Sequence, residues 1–307
     1  MKTRRYFNIF CLCSLLLGLC GCEKVVEFKP EDITPYVVVM SRPVADSLVS
    51  VKLSYSQFFL SNREFEPVKD ARIRLLRNGS AVSLLEAAEG MYTFDCRPQA
   101  GDSLELHLDV PSYAHIHAGT RVPQKPSVEA ELLVDTLADY VYRCQLKVKI
   151  HDPAGSDFYR LSVDGWDWYV SAVDEDTVYI PVSLGLSTND MVFTDVSSLD
   201  YLLEGGETEV YGQQFLFSDE LFNGRVYTMT FSFDMYELPY DFKNHPLVLK
   251  ISSFSKDLFR YQRTKEASFN GMDFLSEPVQ IYCNIDGGIG IFAASANEKI
   301  ILVPVYR

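Results

Sequence analysis

The chain has 307 residues, of which 47% are apolar and 23% charged, a composition typical of a folded protein and not of a disordered or fibrous one. Acidic residues outnumber basic ones by 42 to 28, and no run of lysine and arginine follows the first few residues. Because a nucleic-acid-binding surface needs a basic stripe that replaces counterions, this charge balance argues against that class of function.

The N-terminus has the pattern of a secretory signal peptide over residues 1–21. A basic start precedes an apolar run that is too short to cross a membrane as a helix. The run ends in Leu19-Cys20-Gly21-Cys22, which resembles a bacterial lipobox, where the cysteine after a small residue is acylated and becomes the new N-terminus. Cys22 is therefore the predicted lipidation site.

Lipidation at Cys22 predicts a membrane anchor made of acyl chains and not of basic residues. Since three of the 28 basic residues lie in the signal, the mature chain would carry a charge of about −17, which an anionic lipid surface repels. We expect residence in the outer membrane, and the charged pair Glu23-Lys24 favours exposure on the cell surface. Residues 22–34 mix charges with prolines and would form a tether.

Short alternating strands predict a β-sandwich over residues 35–122. Apolar and polar residues alternate with a period of two in each strand, the pattern of half-buried antiparallel strands. The best examples are Val51–Ser56, Ala71–Leu75 and Leu104–Val110. Turn signals separate them, at Asn78-Gly79, Glu89-Gly90 and Ala100-Gly101-Asp102.

A second, mostly antiparallel β domain is predicted over residues 128–307. Two prolines in Val122–Ser127 oppose both helix and central strand and indicate a linker. Two short helices are expected, one at Ser198–Glu204 and one from Lys256 to Phe269, which follows Ser255 as a cap. Strands are expected near 141–150, 157–163, 166–172, 226–233, 246–252, 279–285 and 299–305. The predicted fold class is thus mainly β, with two domains.

Only Cys96, Cys144 and Cys283 remain in the folded part of the chain. Three widely spaced cysteines make no disulfide framework, and at most one bridge could join two of them. Cys144 alternates with charged neighbours in phase with apolar residues, which predicts a buried, reduced thiol on the core face of a strand.

The sequence patterns that could indicate metal or phosphate sites are weak. His115-Ile116-His117 would place two imidazoles on one side of a strand, but a third ligand is missing nearby, so solvated or locally hydrogen-bonded histidines are favoured. Asp174-Glu175-Asp176 lacks the spacing of a calcium loop and is interpreted as a solvated acidic loop. Gly287-Gly288-Ile289-Gly290 has β-prone residues on both sides, which favours a tight turn between strands over a phosphate loop.

No nucleophile elbow or other catalytic motif is present in the sequence. Triads assemble from distant positions, so this absence lowers the weight of an enzymatic function without removing it. We therefore predict a protein that is not an enzyme, with no catalytic residue, metal or cofactor.

The strongest candidate for ligand binding is the aromatic run Trp166-Asp167-Trp168-Tyr169. In an extended strand Trp166 and Trp168 share one face, while Tyr169 lies on the other. Flat aromatic surfaces bind sugars and apolar ligands, which makes these three residues a predicted recognition surface. The alternative is that both tryptophans pack in the core of the second domain.

Distinctive segments occur along the chain at Phe259-Arg260-Tyr261, Leu275–Val279, Asn284–Phe292, the mid-chain Phe217–Gly224, and the N-terminal Pro67–Ala71 with Gly90-Met91-Tyr92. Over nearly the whole mature chain, these segments resemble a Bacteroidota envelope lipoprotein family known as domain of unknown function 4249. The resemblance implies that the first sandwich is immunoglobulin-like or carboxypeptidase-regulatory-like. Members look like lipoproteins encoded near TonB-dependent outer-membrane receptors. The family has no established catalytic residues, so none is carried over.

The function expected from these observations is a non-enzymatic outer-membrane lipoprotein that captures a ligand for a TonB-dependent receptor or hands it over. A structural or adhesive surface module is the first alternative, and an envelope hydrolase is the second. Neither the ligand nor the partner follows from the sequence.

Overall fold

The computed structural model describes residues 34–58, 61, 63–138, 141–170, 177–193, 209–236, 242–270 and 279–307. The predicted signal peptide, Cys22 and nearly all of the predicted tether lie outside these residues, as do the acidic run 174–176 and the helix predicted at 198–204. No helix in the described ranges is both long enough and apolar enough to span a membrane.

Strands dominate the described part of the chain, which confirms the predicted mainly β fold. Every element belongs to one compact unit made of Tyr36–Gln57 and Asn62–Arg307. In chain order the elements are β1 Val37–Ser41, β2 Val49–Tyr55, β3 Arg72–Arg77, β4 Ser80–Val82, β5 Leu84–Ala88, β6 Met91–Phe94, β7 Ser103–Asp109, β8 Ile116–Arg121, β9 Val128–Ala138, β10 Val141–His151, β11 Phe158–Val170, β12 Thr177–Ser183, β13 Leu186–Thr188, a 3₁₀ helix Met191–Phe193, β14 Val210–Gly212, β15 Phe215–Ser218, β16 Val226–Tyr236, β17 Leu247–Phe254, α1 Lys256–Asn270, β18 Ile289–Phe292, β19 Ser295–Leu302 and β20 Pro304–Tyr306.

Two sheets form the first sandwich, with strand orders β18-β1-β2-β6-β5 and β4-β3-β7-β8. Their inner faces share one apolar core, because alternate residues of each strand point inward. Val39 and Leu53 come from the first sheet and Leu106 from the second, and all three are at most 1% exposed. The core therefore forms where the period-two pattern predicts it.

The hairpin turns of this sandwich lie where the sequence places them. Asn78-Gly79 and Glu89-Gly90 each have positive φ at both residues, 51° and 78° in the first pair and 49° and 78° in the second. These values are those of a type I′ turn, whose twist matches that of the flanking strands.

The last strand of the first sandwich comes from the far end of the chain. Strand β18 pairs in parallel with β1, with Val39 opposite Gly290. The Asn284 side chain holds the preceding loop, since its amide exchanges two hydrogen bonds with the backbone of Phe292, at 2.8 and 3.0 Å. The sandwich predicted over 35–122 thus includes a strand from the region predicted as the second domain.

The strand expected near 279–285 is not formed, because residues 279–285 have no regular secondary structure. The predicted turn between strands is formed only in part, because Gly287 and Gly288 turn the chain into β18 while Ile289 and Gly290 already belong to that strand. Gly287 and Gly290 have φ values of 78° and 120°, a region that favours glycine.

The second sandwich contains the sheet β14-β13-β16-β10-β9-β20 and the sheet β12-β11-β17-β19, with β15 also paired to β11. Strand β11 is one long strand where the sequence predicts two. Cys144 is fully buried in the core between these sheets, which confirms its predicted position. Burial, and then the charge of Asp234, raise the pKa of this thiol to about 12, so it stays protonated. All three described cysteines are free thiols.

Helix α1 confirms the predicted helix and packs against both sandwiches. Its side chains Leu258 and Phe259 are buried in a third apolar cluster. Ile291 of β18 joins this cluster from the first sandwich, and Phe158 and Phe254 join it from the second. The helix starts after Ser255, whose hydroxyl accepts a long bond of 3.4 Å from the amide of Leu258.

Candidate functional site

A cleft with a volume of about 470 Å³ runs along helix α1. The helix provides one wall, and Phe158 at the start of β11 and Tyr282 of the segment before β18 complete it. The lining residues are Phe158, Lys256, Phe259, Arg260, Arg263, Thr264, Ala267 and Tyr282. This volume lies in the range of small-molecule sites.

Aromatic rings form the apolar part of the cleft. Phe158 and Phe259 are in contact, with ring centroids 4.6 Å apart. Tyr282 is fixed to the helix at two points, because its amide donates to Thr264 Oγ1 at 2.8 Å and its hydroxyl donates to Asp257 Oδ1 at 2.6 Å. Burial and the bond to Asp257 raise the pKa of Tyr282, which keeps the hydroxyl a donor.

Three cationic side chains rim this cleft. Lys256, Arg260 and Arg263 follow the i, i+4, i+7 spacing that places residues on one helix face. The guanidinium of Arg260 lies 5.7 Å from the centre of the Tyr282 ring, and that of Arg263 lies 5.7 Å from the centre of the Phe259 ring. Among the described residues, none of the three has a carboxylate within 4 Å.

A second cleft, of about 260 Å³, lies on a different face of the same helix. It is also cationic, since Arg42 and Arg160 line it beside Gln262. The Arg160 guanidinium lies 5.1 Å from the centre of the Phe254 ring, and burial, together with the charge of Arg42, lowers its pKa. The Oε1 atom of Gln262 is buried and accepts no hydrogen bond. Within an acidic protein, helix α1 is therefore flanked by positive charge.

The predicted aromatic surface lies toward the opposite end of β11 from Phe158. Trp166 is half-buried, and its ring meets the edge of His245 at 5.4 Å between centroids. Tyr179 stacks on His245, with ring centroids 3.7 Å apart. In the strand pairing, Trp168 lies opposite Tyr179 and Tyr169 opposite Val178, while the side chains of Trp168 and Tyr169 lie outside the described part. Ligand binding by Trp166, Trp168 and Tyr169 stays a prediction.

The histidines of the first sandwich form a stack on its surface. His107 on β7 lies opposite His117 on β8, and His115 completes a group whose ring centroids are 5.5 to 6.4 Å apart. His115 is bonded to Asp109 at 2.8 Å and His117 to Asp286 at 3.1 Å. This arrangement matches the predicted locally hydrogen-bonded histidines.

Three carboxylates that the sequence analysis did not single out come together at the edge of the second sandwich. Asp152 follows β10, Asp157 precedes β11 and Asp219 follows β15. One carboxylate oxygen from each lies within 4.8 Å of the others. Sequence reasoning missed this cluster because its members come from three separate segments and have no local spacing pattern.

In the acidic cluster Asp152 and Asp219 are buried and Asp157 is half-buried, and hydrogen bonds hold Asp152 in place. Asp152 accepts from the Tyr159 hydroxyl at 2.6 Å and from the Gly224 amide at 2.8 Å. Burial, and then the charges of Asp152 and Asp219, raise the pKa of Asp157 to about 6. Burial likewise raises the pKa of Asp219. The raised pKa values indicate that little positive charge lies near these carboxylates.

No family model and no curated protein matches the chain. Among solved structures, the sporulation control protein Spo0M from Bacillus subtilis is similar at 13% identity and a TM-score of 0.21, over 58% of this chain and 49% of that one. The collagen adhesin CNA from S. aureus is similar at 10% identity and a TM-score of 0.20, over 87% and 96%. The chain spans about half the length of Spo0M.

Proposed function

We propose that the mature chain is a non-enzymatic, lipid-anchored outer-membrane protein that binds a ligand for a TonB-dependent receptor. The lipobox-like segment ending at Cys22 supports the anchor, and the resemblance described above supports the receptor partner. The role would be capture of the ligand or its transfer to the receptor, with no bond made or broken.

The cleft along helix α1 carries the binding part of this proposal. Its aromatic side offers flat apolar contact, and Lys256, Arg260 and Arg263 offer positive charge with no described carboxylate within 4 Å. An arginine beside an aromatic ring favours a ligand that is both anionic and flat or apolar. We propose a small molecule of this class as the ligand.

A pair of matched probes tests the cleft. In calorimetric titrations of the detergent-solubilised protein, 2-naphthalenesulfonate should bind and the neutral 2-naphthalenemethanol should bind more weakly, because only the sulfonate meets the arginines. Loss of one charge-assisted contact costs about 1.5–3 kcal/mol, so Arg263→Gln should weaken sulfonate binding by about tenfold or more. The exposed Arg121 lies outside the cleft lining, and Arg121→Gln is the control. Equal binding of both probes, or equal loss in both variants, contradicts the proposal.

Acyl labelling and protease access test the localisation. Cys22→Ala should give a form without incorporated palmitate that is unprocessed or soluble, because two or three acyl chains make the native anchor. Labelling of Cys22→Ala at the wild-type level refutes the anchor. If protease added to whole cells leaves the protein intact but degrades it after lysis, the surface location is wrong.

An exposed apolar edge favours a structural or adhesive module as the second candidate. Ile301, Val303, Val305 and Tyr306 are each half or more exposed, and the last two belong to β20, an edge strand of its sheet. Exposed apolar strand edges are common contact surfaces. Crosslinking in membranes separates the candidates, because a receptor partner supports the first and self-association or a polymer partner supports the second.

A further inference from the structure

We propose that Asp152, Asp157 and Asp219 form a calcium-binding site at the edge of the second sandwich. Calcium binds oxygen ligands at about 2.3–2.6 Å, so two ligands of one ion are at most about 5 Å apart. One carboxylate oxygen from each aspartate lies within 4.8 Å of the other two, which satisfies this limit. The donor atoms thus already have the separation that a shared ion requires.

An unsatisfied buried oxygen points to a ligand independently of this spacing. Asp219 is 2% exposed, and its Oδ2 atom has no hydrogen-bond partner. A buried polar atom without a partner is costly and rare in folded proteins. A cation bound between the aspartates would satisfy this oxygen.

The charge around the cluster agrees with a cation site. No lysine or arginine lies within 4 Å of the three carboxylates in the described part of the chain. Two basic side chains of the adjoining cavity have other partners, since Lys125 pairs with Glu298 at 3.0 Å and His151 bonds to Glu129 at 2.9 Å. Burying three like charges without compensation is unfavourable, and a divalent ion removes that cost.

The surroundings provide support and access for the ion. The Tyr159 hydroxyl and the Gly224 amide orient Asp152, in the way that outer hydrogen bonds orient metal ligands. A cavity of about 150 Å³, lined in part by Asp157 and Tyr159, adjoins the cluster. This space can admit an ion together with the water molecules that complete its coordination.

The donor set favours calcium over other common ions. Zinc and copper prefer imidazole or thiolate, and the cluster offers only oxygen. Magnesium requires a compact octahedral shell near 2.0–2.1 Å and usually keeps several waters, whereas calcium accepts an irregular set of carboxylates. The proposal does not depend on the cleft along α1, and failure of either leaves the other standing.

Thermal unfolding of the full chain in detergent tests the site. Extracellular calcium modules bind with dissociation constants of about 0.1–1 mM, so about 10 mM calcium should approach saturation. Relative to EDTA, this should raise the melting temperature by about 3–5 °C, and the same concentration of magnesium should raise it less. An unchanged melting temperature in calcium overturns the site.

Terbium emission adds a signal that depends on position. Because the Tyr159 hydroxyl bonds to Asp152, excitation of tyrosine should sensitise a terbium ion bound at the cluster. Calcium should displace the terbium ion and thereby reduce the emission. Emission that stays unchanged when calcium is added contradicts the assignment.

Two substitutions test whether the calcium stabilisation and the terbium emission arise at this cluster. Asp219→Asn removes one ligand charge and should abolish both the calcium stabilisation and the displaceable emission, while its melting temperature in EDTA should equal or exceed that of the wild type. Glu220→Gln removes the same charge at the next, exposed position and should keep both signals. If Asp219→Asn does not fold, Asp157→Asn at the half-buried position replaces it. Calcium signals that persist in the aspartate variants overturn the proposal.

Discussion

Gly290 is the residue whose backbone surroundings are tightest. Its φ is 120°, and a Cβ atom there would lie 2.0 Å from the carbonyl oxygen of Val39. Gly290→Ala should therefore separate β18 from β1 and lower the free energy of unfolding by about 3 kcal/mol or more. Urea unfolding measures this change.

Gly79 is the matched control for Gly290. Its φ of 78° is also positive, but nothing lies within 4 Å of a Cβ placed there. Gly79→Ala should lower the free energy of unfolding only by the backbone strain of a side chain at positive φ, about 1–2 kcal/mol. Equal losses in the two variants would mean that close approach to Val39 is unimportant.

At Gly288 the structure changes the physical reason for an effect that the sequence predicts. From the sequence, Gly288→Val should lower the melting temperature because the turn needs positive φ. In the structure, the positive φ values belong to Gly287 and Gly290, while a Cβ at Gly288 would lie 2.9 Å from the carbonyl oxygen of Val37. We therefore expect steric contact with this oxygen to lower the melting temperature of Gly288→Val. The side chain of Asp286 is 77% exposed, so Asp286→Asn should change the melting temperature far less.

Asp102 should make the stability of the first sandwich depend on pH. Burial alone would raise its pKa, but hydrogen bonds from the Gln99 amide, Asn78 and Arg77 and the Arg77 charge outweigh it, so the pKa is lowered. A lowered folded-state pKa stabilises the fold above the unfolded value of about 4. This stabilisation is lost as the pH falls through the folded pKa.

Asp102→Asn should accordingly lower the free energy of unfolding by about 1–3 kcal/mol at pH 7, and by progressively less below about pH 4. Urea unfolding across this pH range is the measurement. Asp95→Asn, at an exposed neighbouring position, should show little change at any pH. A cost for Asp102→Asn that grows as the pH falls would contradict the assigned sign.

At the scale of the element, Phe259 is one of the buried side chains that hold helix α1 in place. This ring is 7% exposed and contacts Phe158 at 4.6 Å between centroids. Phe259→Ala should lower the free energy of unfolding by about 3–5 kcal/mol, because a large buried ring leaves a cavity. Phe65 is 60% exposed, and Phe65→Ala should change little. Calorimetric unfolding of both variants compares them, and similar losses would refute this role.

Elements with a strong local signal are the ones that the sequence predicts. Helix α1 has a capping residue before Lys256, and strand β10 alternates buried and polar positions up to His151. The segment 279–285 contains β-prone residues but is held by side-chain bonds, such as Tyr282 to Asp257, that no local pattern encodes. Tertiary contacts therefore decide its conformation.

The candidate sites were less predictable than the elements, because each is made by several segments. The cleft combines Phe158, helix α1 and Tyr282, and the acidic cluster combines Asp152 with Asp219, 67 positions later in the chain. The sequence predicts Trp166 as a candidate because the aromatic residues of that run lie close together along the chain. Arg260 with its neighbours, and Asp219 within Phe217–Gly224, appeared in the sequence analysis only as parts of a family resemblance and not as ligands.

At the scale of the whole molecule, the C-terminal strands stabilise both sandwiches. Strand β18 pairs with β1, β19 with β17 and β20 with β9. A chain ending at residue 278 should therefore lose cooperative unfolding, as measured by calorimetry and resistance to trypsin. A chain ending at 303 lacks only the edge strand β20 and is the control, which should stay folded. A cooperative transition in the shorter chain would contradict this prediction.

The parallel pairing of β1 with β18 also sets the order in which the chain can acquire its structure. The two strands are separated by about 250 residues, and closing so long a loop costs entropy before the contacts repay it. The first sandwich cannot be completed until nearly all of the polypeptide has been synthesised. Under the proposed export of this chain, the delay would keep the emerging polypeptide loose enough to pass through a narrow translocation channel, and would postpone its final compaction to the far side of the membrane.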